Sequence, residues 1–331
     1  MEGRAFGKVI LVGEHAVVYG VPAIAVGIDR GASASLVALP RGPSTLALRV
    51  DGGDPLRAIE GDDHDLARAF GALLASVRRS AARSQGDAPV AVDVRTDLPA
   101  GAGLGCSAAI GVAIARALGA ETIDEAREHA TAWERVFHGN PSGVDAAIAS
   151  LGGAIVFEKT EGGGHVQALS VGAPLALAVG HSGTASSTRS MVQSVARQRA
   201  RNAVVVDKTF EGIAAIGRSA RLAIEAGDTK ALGKLLDMNQ MLLAGLLLST
   251  QEIETMCARA REAGALGAKL TGAGGGGCVV ALAESRAAAE RVLAAWKDDG
   301  FVGFVAEVFA SHERRDHHRA SGPSRRSERS A

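Results

Sequence analysis

A mixed α/β fold, arranged as two domains or one large one, is what this sequence predicts. Three observations point there. The chain has 331 residues, which is more than a single small core needs. Hydrophobic residues make up 47% of it, enough to bury a sizeable interior. Strand-length apolar runs also alternate with stretches of helical spacing, and the last such group, 279–309, reads as a β-α-β unit.

The elements follow in order. Residues 7–28 read as a short strand, a turn at Gly13-Glu14-His15, a second apolar run and a turn at Gly20-Val21-Pro22. Residues 34–39 and 45–50 read as strands around the rigid turn Pro40-Arg41-Gly42-Pro43. From Asp65 to Arg79, Leu66, Ala69, Phe70, Leu73, Leu74 and Val77 fall on one helical face. Val90, Val92 and Val94 then alternate with polar or small residues, as a half-buried strand does. Beyond a glycine-rich loop and an alanine-rich helix, Thr122-Ile123-Asp124-Glu125 forms a capping box that opens a helix to about Val136. Residues 153–157 and 175–179 read as strands, with a glycine-rich turn at 161–164 between them. From 186 to 248 the spacing is helical, with breaks near Asn202 and Gly227-Asp228, and 251–263 adds another helix. From Ser311 onward the chain is polar, basic and poor in large apolar residues, the composition of a solvated tail.

Composition excludes several classes. Lys plus Arg and Asp plus Glu both number 36, so no net charge draws the chain to nucleic acid or to an anionic membrane. Glu14 and His15 interrupt the apolar run after Arg4 and Lys8 too early for a signal peptide or a membrane span. Cys106, Cys257 and Cys278 show no CxxC spacing and no disulfide framework, which fits a reducing cytoplasm.

Four stretches carry chemistry. In Pro99-Ala100-Gly101-Ala102-Gly103-Leu104-Gly105-Cys106-Ser107, glycines stand on alternate positions just before a helix. Such a loop frees the backbone and aims helix N–H groups and the positive end of the dipole at one point, which suits a phosphate. It is not a Walker loop, because no Lys-Ser or Lys-Thr pair closes it. Nor is it a dinucleotide fingerprint, because Cys106 stands where the third glycine belongs. By itself it fits either phosphate binding or close packing of a helix on a sheet. The second stretch, Lys8 to Gly20, inserts Lys8, Glu14 and His15 into an apolar run, where they cost desolvation unless paired or used. The third, His138-Gly139-Asn140-Pro141-Ser142-Gly143-Val144-Asp145, sets Asp145 at the start of a short apolar helix. That position suits either a helix cap or an ionised carboxylate that handles a substrate hydroxyl in phosphoryl transfer. The fourth, Lys269 to Cys278, holds a glycine run including Gly272, Gly274 and Gly275 that implies close backbone approach.

Together these four stretches resemble the GHMP small-molecule kinases, and Gly13-Glu14-His15-Ala16-Val17-Val18-Tyr19-Gly20 is similar to the opening motif of the branch that acts on mevalonate. The resemblance runs nearly to Phe309. It implies an N-terminal domain of ribosomal-S5-like type over about 1–170 and a ferredoxin-like C-terminal domain over about 171–310, with the tail, 311–331, outside it. It implies that Gly101, Ala102, Gly103, Leu104, Gly105, Cys106 and Ser107 wrap the phosphates of ATP, with Thr96 near the nucleotide. Ser107 and Glu134 would hold Mg²⁺. Asp145 would orient or deprotonate the substrate hydroxyl, with Lys8 paired to it, and Lys8, Glu14, His15 and Thr188 would line the mevalonate pocket. A homodimer is implied as well. Cys106 replaces the family's usual serine. A helix N-terminus can lower a thiol's pKa and sensitise it, or Cys106 contributes only its backbone N–H. Other readings are a kinase of phosphomevalonate, which needs further cationic side chains beyond Lys8, and a ligand sensor without activity, against which Lys8, Ser107, Glu134 and Asp145 argue. The decarboxylase branch is disfavoured by the presence of both Lys8 and Asp145.

Overall fold

The computed structural model describes residues 1–80, 88–139, 143–160, 163–184 and 187–309. Asn140, Pro141 and Ser142 of the third motif, the start of the 161–164 turn, Ala185 and Ser186, and the polar tail lie outside the described residues.

The first sheet is built around one long strand. β1 (Glu2–Val12) is followed by a 3₁₀ turn at Ala16–Tyr19, then β2 (Ala23–Ala38), β3 (Thr45–Val50), β4 (Leu56–Ile59), α1 (Asp65–Arg79), β5 (Val90–Thr96), α2 (Cys106–Ala117), α3 (Ile123–His138), α4 (Val144–Leu151), β6 (Ala154–Thr160) and β7 (Gly163–Leu169). The strand order is β4-β3-β5-β2-β6-β7, with β1 also on β2. All neighbours are antiparallel except β3 and β5. α2 and α4 pack directly on β1, and α3 packs on α1 and α2. This places the N-termini of α2 and α4 beside the same strand.

β2 is longer than the sequence pattern suggests, because Asp29, Arg30 and Gly31 interrupt its apolar alternation. Gly31 is where β1 presses closest: a Cβ there would lie 1.9 Å from the Ala5 carbonyl oxygen. β4 and β7 escape the sequence reading for a different reason. Both are sheet edges, and β4 buries only Ala58 of its four residues, so no alternation marks it. The Thr122–Glu125 capping box forms as expected, with Glu125 N–H donating to Thr122 Oγ1 at 3.1 Å and Thr122 N–H donating to Glu125 Oε2 at 3.0 Å.

The second sheet follows β8 (Leu175–His181), α5 (Thr188–Arg201), α6 (Ala203–Ala226), α7 (Thr229–Gly245), α8 (Gln251–Glu262), β9 (Gly267–Thr271), β10 (Cys278–Ala283), α9 (Arg286–Asp298) and β11 (Val302–Val308). Its order is β11-β8-β10-β9. β8 runs antiparallel to both β10 and β11, so those two are parallel to each other, joined by the α9 crossover with β8 between them. This is the split β-α-β arrangement of a ferredoxin-like sheet. Buried side chains of both sheets form one continuous hydrophobic cluster. Among the described residues no helix is long and apolar enough to cross a membrane.

Candidate active site

The glycine loop before α2 is shaped by alternation. Gly101, Gly103 and Gly105 have φ of 72°, 76° and 74°, a left-handed conformation that glycine takes without strain. Between them Ala102 and Leu104 are buried and hold the loop to the core, and the Leu104 carbonyl accepts the Lys8 backbone N–H at 2.9 Å. The glycine sides of the loop are open: a Cβ on Gly101 or Gly103 would meet nothing within 4 Å. A Cβ on Gly105 would lie 2.9 Å from Lys8 Cγ, so this glycine lets the lysine side chain pass. No side chain caps α2, leaving its first N–H groups for an anion.

Cys106 turns away from that point. Its Sγ donates to the Leu98 carbonyl at 3.7 Å and lies 4.0 Å from Thr96 Oγ1. Burial pushes the thiol pKa up, so the lowered pKa that a helix N-terminus can give is not realised here. The Thr96 hydroxyl is also spent within the chain, donating to the Gly31 carbonyl at 2.9 Å and accepting the Leu98 N–H at 3.2 Å. Thr96 thus fixes the turn that leads into the loop.

Lys8, Ser107, Glu134 and Asp145 converge next to it. Lys8 Nζ lies 3.2 Å from Asp145 Oδ1, with the lysine buried and the aspartate side chain 39% exposed. Asp145 stands in the first turn of α4, which has only Gly143 as its cap. Glu134 is buried within hydrogen-bonding reach of Ser107, whose Oγ accepts the Trp133 indole N–H at 3.2 Å. Burial first and the Asp145 charge second raise the Glu134 pKa to about 7, against the opposing influence of Ser107 and Lys8. Two neighbouring carboxylates, one of them forced toward its neutral form, are what a hard cation would relieve. The oxygen donors Ser107 and Glu134 therefore fit Mg²⁺.

The turn after β1 meets the fourth motif. His15 has φ 59°, an uncommon conformation for a residue with a Cβ. Its Nε2 lies 2.7 Å from the Ala273 carbonyl, so that nitrogen carries the proton and Nδ1 is left as an acceptor. Burial lowers its pKa, opposed by the Ala273 bond and by Glu14, and the ring is neutral at pH 7. Glu14 forms an ion pair with Lys269, and neither side chain has exposed surface. Asn239 Nδ2 donates to the second Glu14 oxygen at 3.4 Å. Expected against a substrate, Glu14 instead has both oxygens engaged by protein and braces the turn that carries His15. Thr271 Oγ1 accepts the Ile10 N–H at 3.0 Å and donates to the Ile10 carbonyl at 3.1 Å. These contacts lock β1 of the first sheet to β9 of the second.

The close approach implied by the second glycine run has identifiable partners. A Cβ on Gly274 would meet the Leu248 carbonyl at 2.5 Å, and one on Gly276 the Thr184 carbonyl at 2.7 Å. Gly275 N–H donates to Leu248 and Gly277 N–H to Thr184. Gly272 faces the first loop, its Cβ position 3.9 Å from the Gly103 carbonyl oxygen. Thr188 begins α5 and is exposed. No hydrogen bond joins it to Lys8, Glu14, His15 or Asp145 among the described residues, and Thr184 ties its segment to the second glycine run.

Lys269 was the functional neighbourhood's hidden member in the sequence. The signal existed, since a lysine between Ala268 and Leu270 in a strand must be paired, but its partner lies 255 residues away.

Glycine loop, lysine–aspartate pair and adjoining glutamate on this two-sheet scaffold define a small-molecule kinase of the GHMP class. Family models described as "GHMP kinases N terminal domain" and "GHMP kinases C terminal" match residues 68–153 and 220–301. The mevalonate kinase of Thermococcus sibiricus is 32% identical over 84% of this chain and 88% of its own length, and that of Aeropyrum pernix is 34% identical over 83% and 86%. A crystal structure of L. major mevalonate kinase in complex with R-mevalonate superposes with a TM-score of 0.83 at 28% identity, covering 94% of this chain and 96% of the other. The chain belongs to the mevalonate kinase family of the GHMP kinase superfamily.

Proposed function

We propose that this chain transfers the γ-phosphate of ATP to the 5-hydroxyl of (R)-mevalonate, giving 5-phosphomevalonate and ADP. The observation that carries the reading is the half-open Lys8–Asp145 pair, 3.2 Å apart, next to an uncapped glycine loop that suits a phosphate. The L. major enzyme, with R-mevalonate bound, supports the choice of acceptor.

In this reading the N–H groups of 101–107 receive the ATP phosphates. Ser107 and Glu134 hold Mg²⁺, which neutralises charge on the phosphate oxygens when bound. Asp145 accepts the proton of the 5-hydroxyl as its oxygen attacks phosphorus and the bond to the ADP oxygen breaks. Lys8 keeps the Asp145 carboxylate oriented and places positive charge beside the transferred group. His15 Nδ1 offers an acceptor to a mevalonate hydroxyl, Thr188 a donor from the start of α5, and Glu14 supports the turn that carries His15.

A coupled assay of ADP release with purified protein tests this, run with mevalonate, phosphomevalonate and galactose. Release should depend on mevalonate and on magnesium. Turnover with phosphomevalonate alone would move the chain to the other kinase of that substrate series.

A further inference from the structure

Arg116 is a cation that the site described above does not use. It lies in the last turn of α2, half-buried, and no carboxylate pairs with it among the described residues. Its guanidinium instead donates to two backbone carbonyls, Nη1 to Arg4 at 2.5 Å and Nη2 to Ser150 at 2.6 Å. Burial without a counter-charge lowers its pKa. The position is enforced by Gly3, where a Cβ would lie 2.1 Å from the Ala113 carbonyl and 2.9 Å from Arg116 Cβ. β1 therefore lies flat on the end of α2.

The two carbonyls identify what is being held. Arg4 is on β1, four residues before Lys8, and Ser150 is on α4, five residues after Asp145. α4 has eight residues and no side-chain cap at its start, too short to be stable without tertiary support. It is strapped to β1 twice. At its N-terminal end the strap is Lys8 to Asp145; at its C-terminal end it is Arg116, bridging the Arg4 and Ser150 carbonyls. The guanidinium also places positive charge at the negative ends of both α2 and α4, where the dipole favours it.

We propose that Arg116 is a positioning residue that sets the seat of Asp145 against Lys8, acting through the far end of α4. The inference rests on the role given to Asp145 above. A planar fork suits the task, since it reaches two carbonyls in fixed directions, which a lysine ammonium on a flexible stem does not. α2 has nine other buried residues to hold it, so loss of Arg116 should move α4 and leave the phosphate loop in place.

The test uses Arg116→Met and Arg116→Lys in the full chain, with two readouts. In steady state, Arg116→Met should lower kcat about 10- to 100-fold, the range a displacement of about 1 Å can produce, with KM for ATP within about twofold. Arg116→Lys should fall between it and the parent. Ser150→Ala, which keeps the carbonyl that Arg116 uses, should leave kcat unchanged. Independently of any substrate, amide hydrogen exchange over 144–151 should accelerate in Arg116→Met while 106–117 stays protected. Unchanged exchange in α4, or a kcat within about twofold of the parent in a folded variant, overturns the proposal. So does a matching rise in KM for ATP with α2 exchange, which would mean general packing. If Arg116→Met does not fold, the same criteria apply to Arg116→Lys. A parent protein inactive on mevalonate would overturn the substrate assignment alone, because the exchange experiment still decides the role of Arg116.

Discussion

Lys8 and Lys269 each face a carboxylate, and comparing the two pairs separates chemistry from architecture. In the first, Asp145 is 39% exposed, and its partner Lys8 runs past Gly105 of the glycine loop. In the second, neither Lys269 nor Glu14 has any exposed side-chain surface, and every polar contact of the pair is made to protein: Ile10, Leu270 and Asn239. The same two functional groups are therefore put to opposite uses. An ion pair that water and ligand can reach can exchange a proton and meet a substrate. A sealed one can only hold the turn after β1 against β9, at a desolvation cost that its geometry must offset.

Breaking the open pair should have the largest effect on turnover. Asp145→Asn keeps a hydrogen-bond acceptor for Lys8 but removes the proton acceptor, and kcat should drop about 10²- to 10⁴-fold. Thermal unfolding should move less than when the sealed pair is broken, because Asp145 is 39% exposed and solvent screens its side of the pair. Equal losses of stability and activity would contradict the division between the two pairs.

Breaking the sealed pair should reverse that pattern. Lys269→Met leaves Glu14 charged and buried, a change that typically costs about 3–5 kcal/mol, measurable by denaturant unfolding. Adding Glu14→Gln removes the stranded charge and should recover most of the stability, while the amide can still accept from Asn239. If the double variant is no more stable than the single one, Lys269 contributes through packing and not through its charge.

Glu134 sharpens the comparison as a buried carboxylate whose contacts, Ser107 and the exposed His138 with Nε2 3.9 Å from Oε1, do not offset its burial. Its pKa of about 7 in the folded chain stands against an ordinary 4.5. Between those values the folded state holds more protons than the unfolded state, so stability falls as pH rises through this window, and the loss is complete above about 7. The shift corresponds to roughly 3 kcal/mol. Glu134→Gln should therefore stabilise the metal-free protein at pH 8, flatten the decline between pH 5 and 7, and abolish magnesium-dependent turnover. Identical pH–stability curves for the two proteins would contradict a buried, poorly compensated Glu134.

The smallest effect belongs to His15. Its pKa is lowered by burial, so below pH 6.5 the unfolded chain gains a proton that the folded chain resists, and stability falls on acidification. His15→Asn tolerates the left-handed backbone and should remove this acid slope without altering the curve above pH 7.

Much of this is legible in the sequence. α1 and β3 end where apolar spacing says they should, since both are amphipathic elements with one buried face. The four motifs were visible because each places glycines or charges where an apolar run would otherwise continue. What escaped is long-range or one-sided. β4 and β7 are edges with weak alternation. Arg116 looks like an ordinary basic residue in a last helical turn, and its two carbonyl acceptors, 112 and 34 residues away, leave no trace in side-chain identity. Lys269 could be flagged as a lysine that needs a partner, but Glu14 could not be chosen as that partner until the topology had laid β9 beside β1. Cys106 left two readings open, a sensitised thiol or a residue that contributes only its backbone N–H, and the burial that decides against the first is a property of the fold.

The most direct test of the account is to measure ADP release by the parent protein and by Asp145→Asn at saturating ATP, magnesium and mevalonate. We expect mevalonate-dependent turnover in the parent and its loss by two or more orders of magnitude in the variant, with ATP affinity retained. Turnover that ignores mevalonate, or a variant as fast as the parent, would contradict the assignment of the open pair to catalysis.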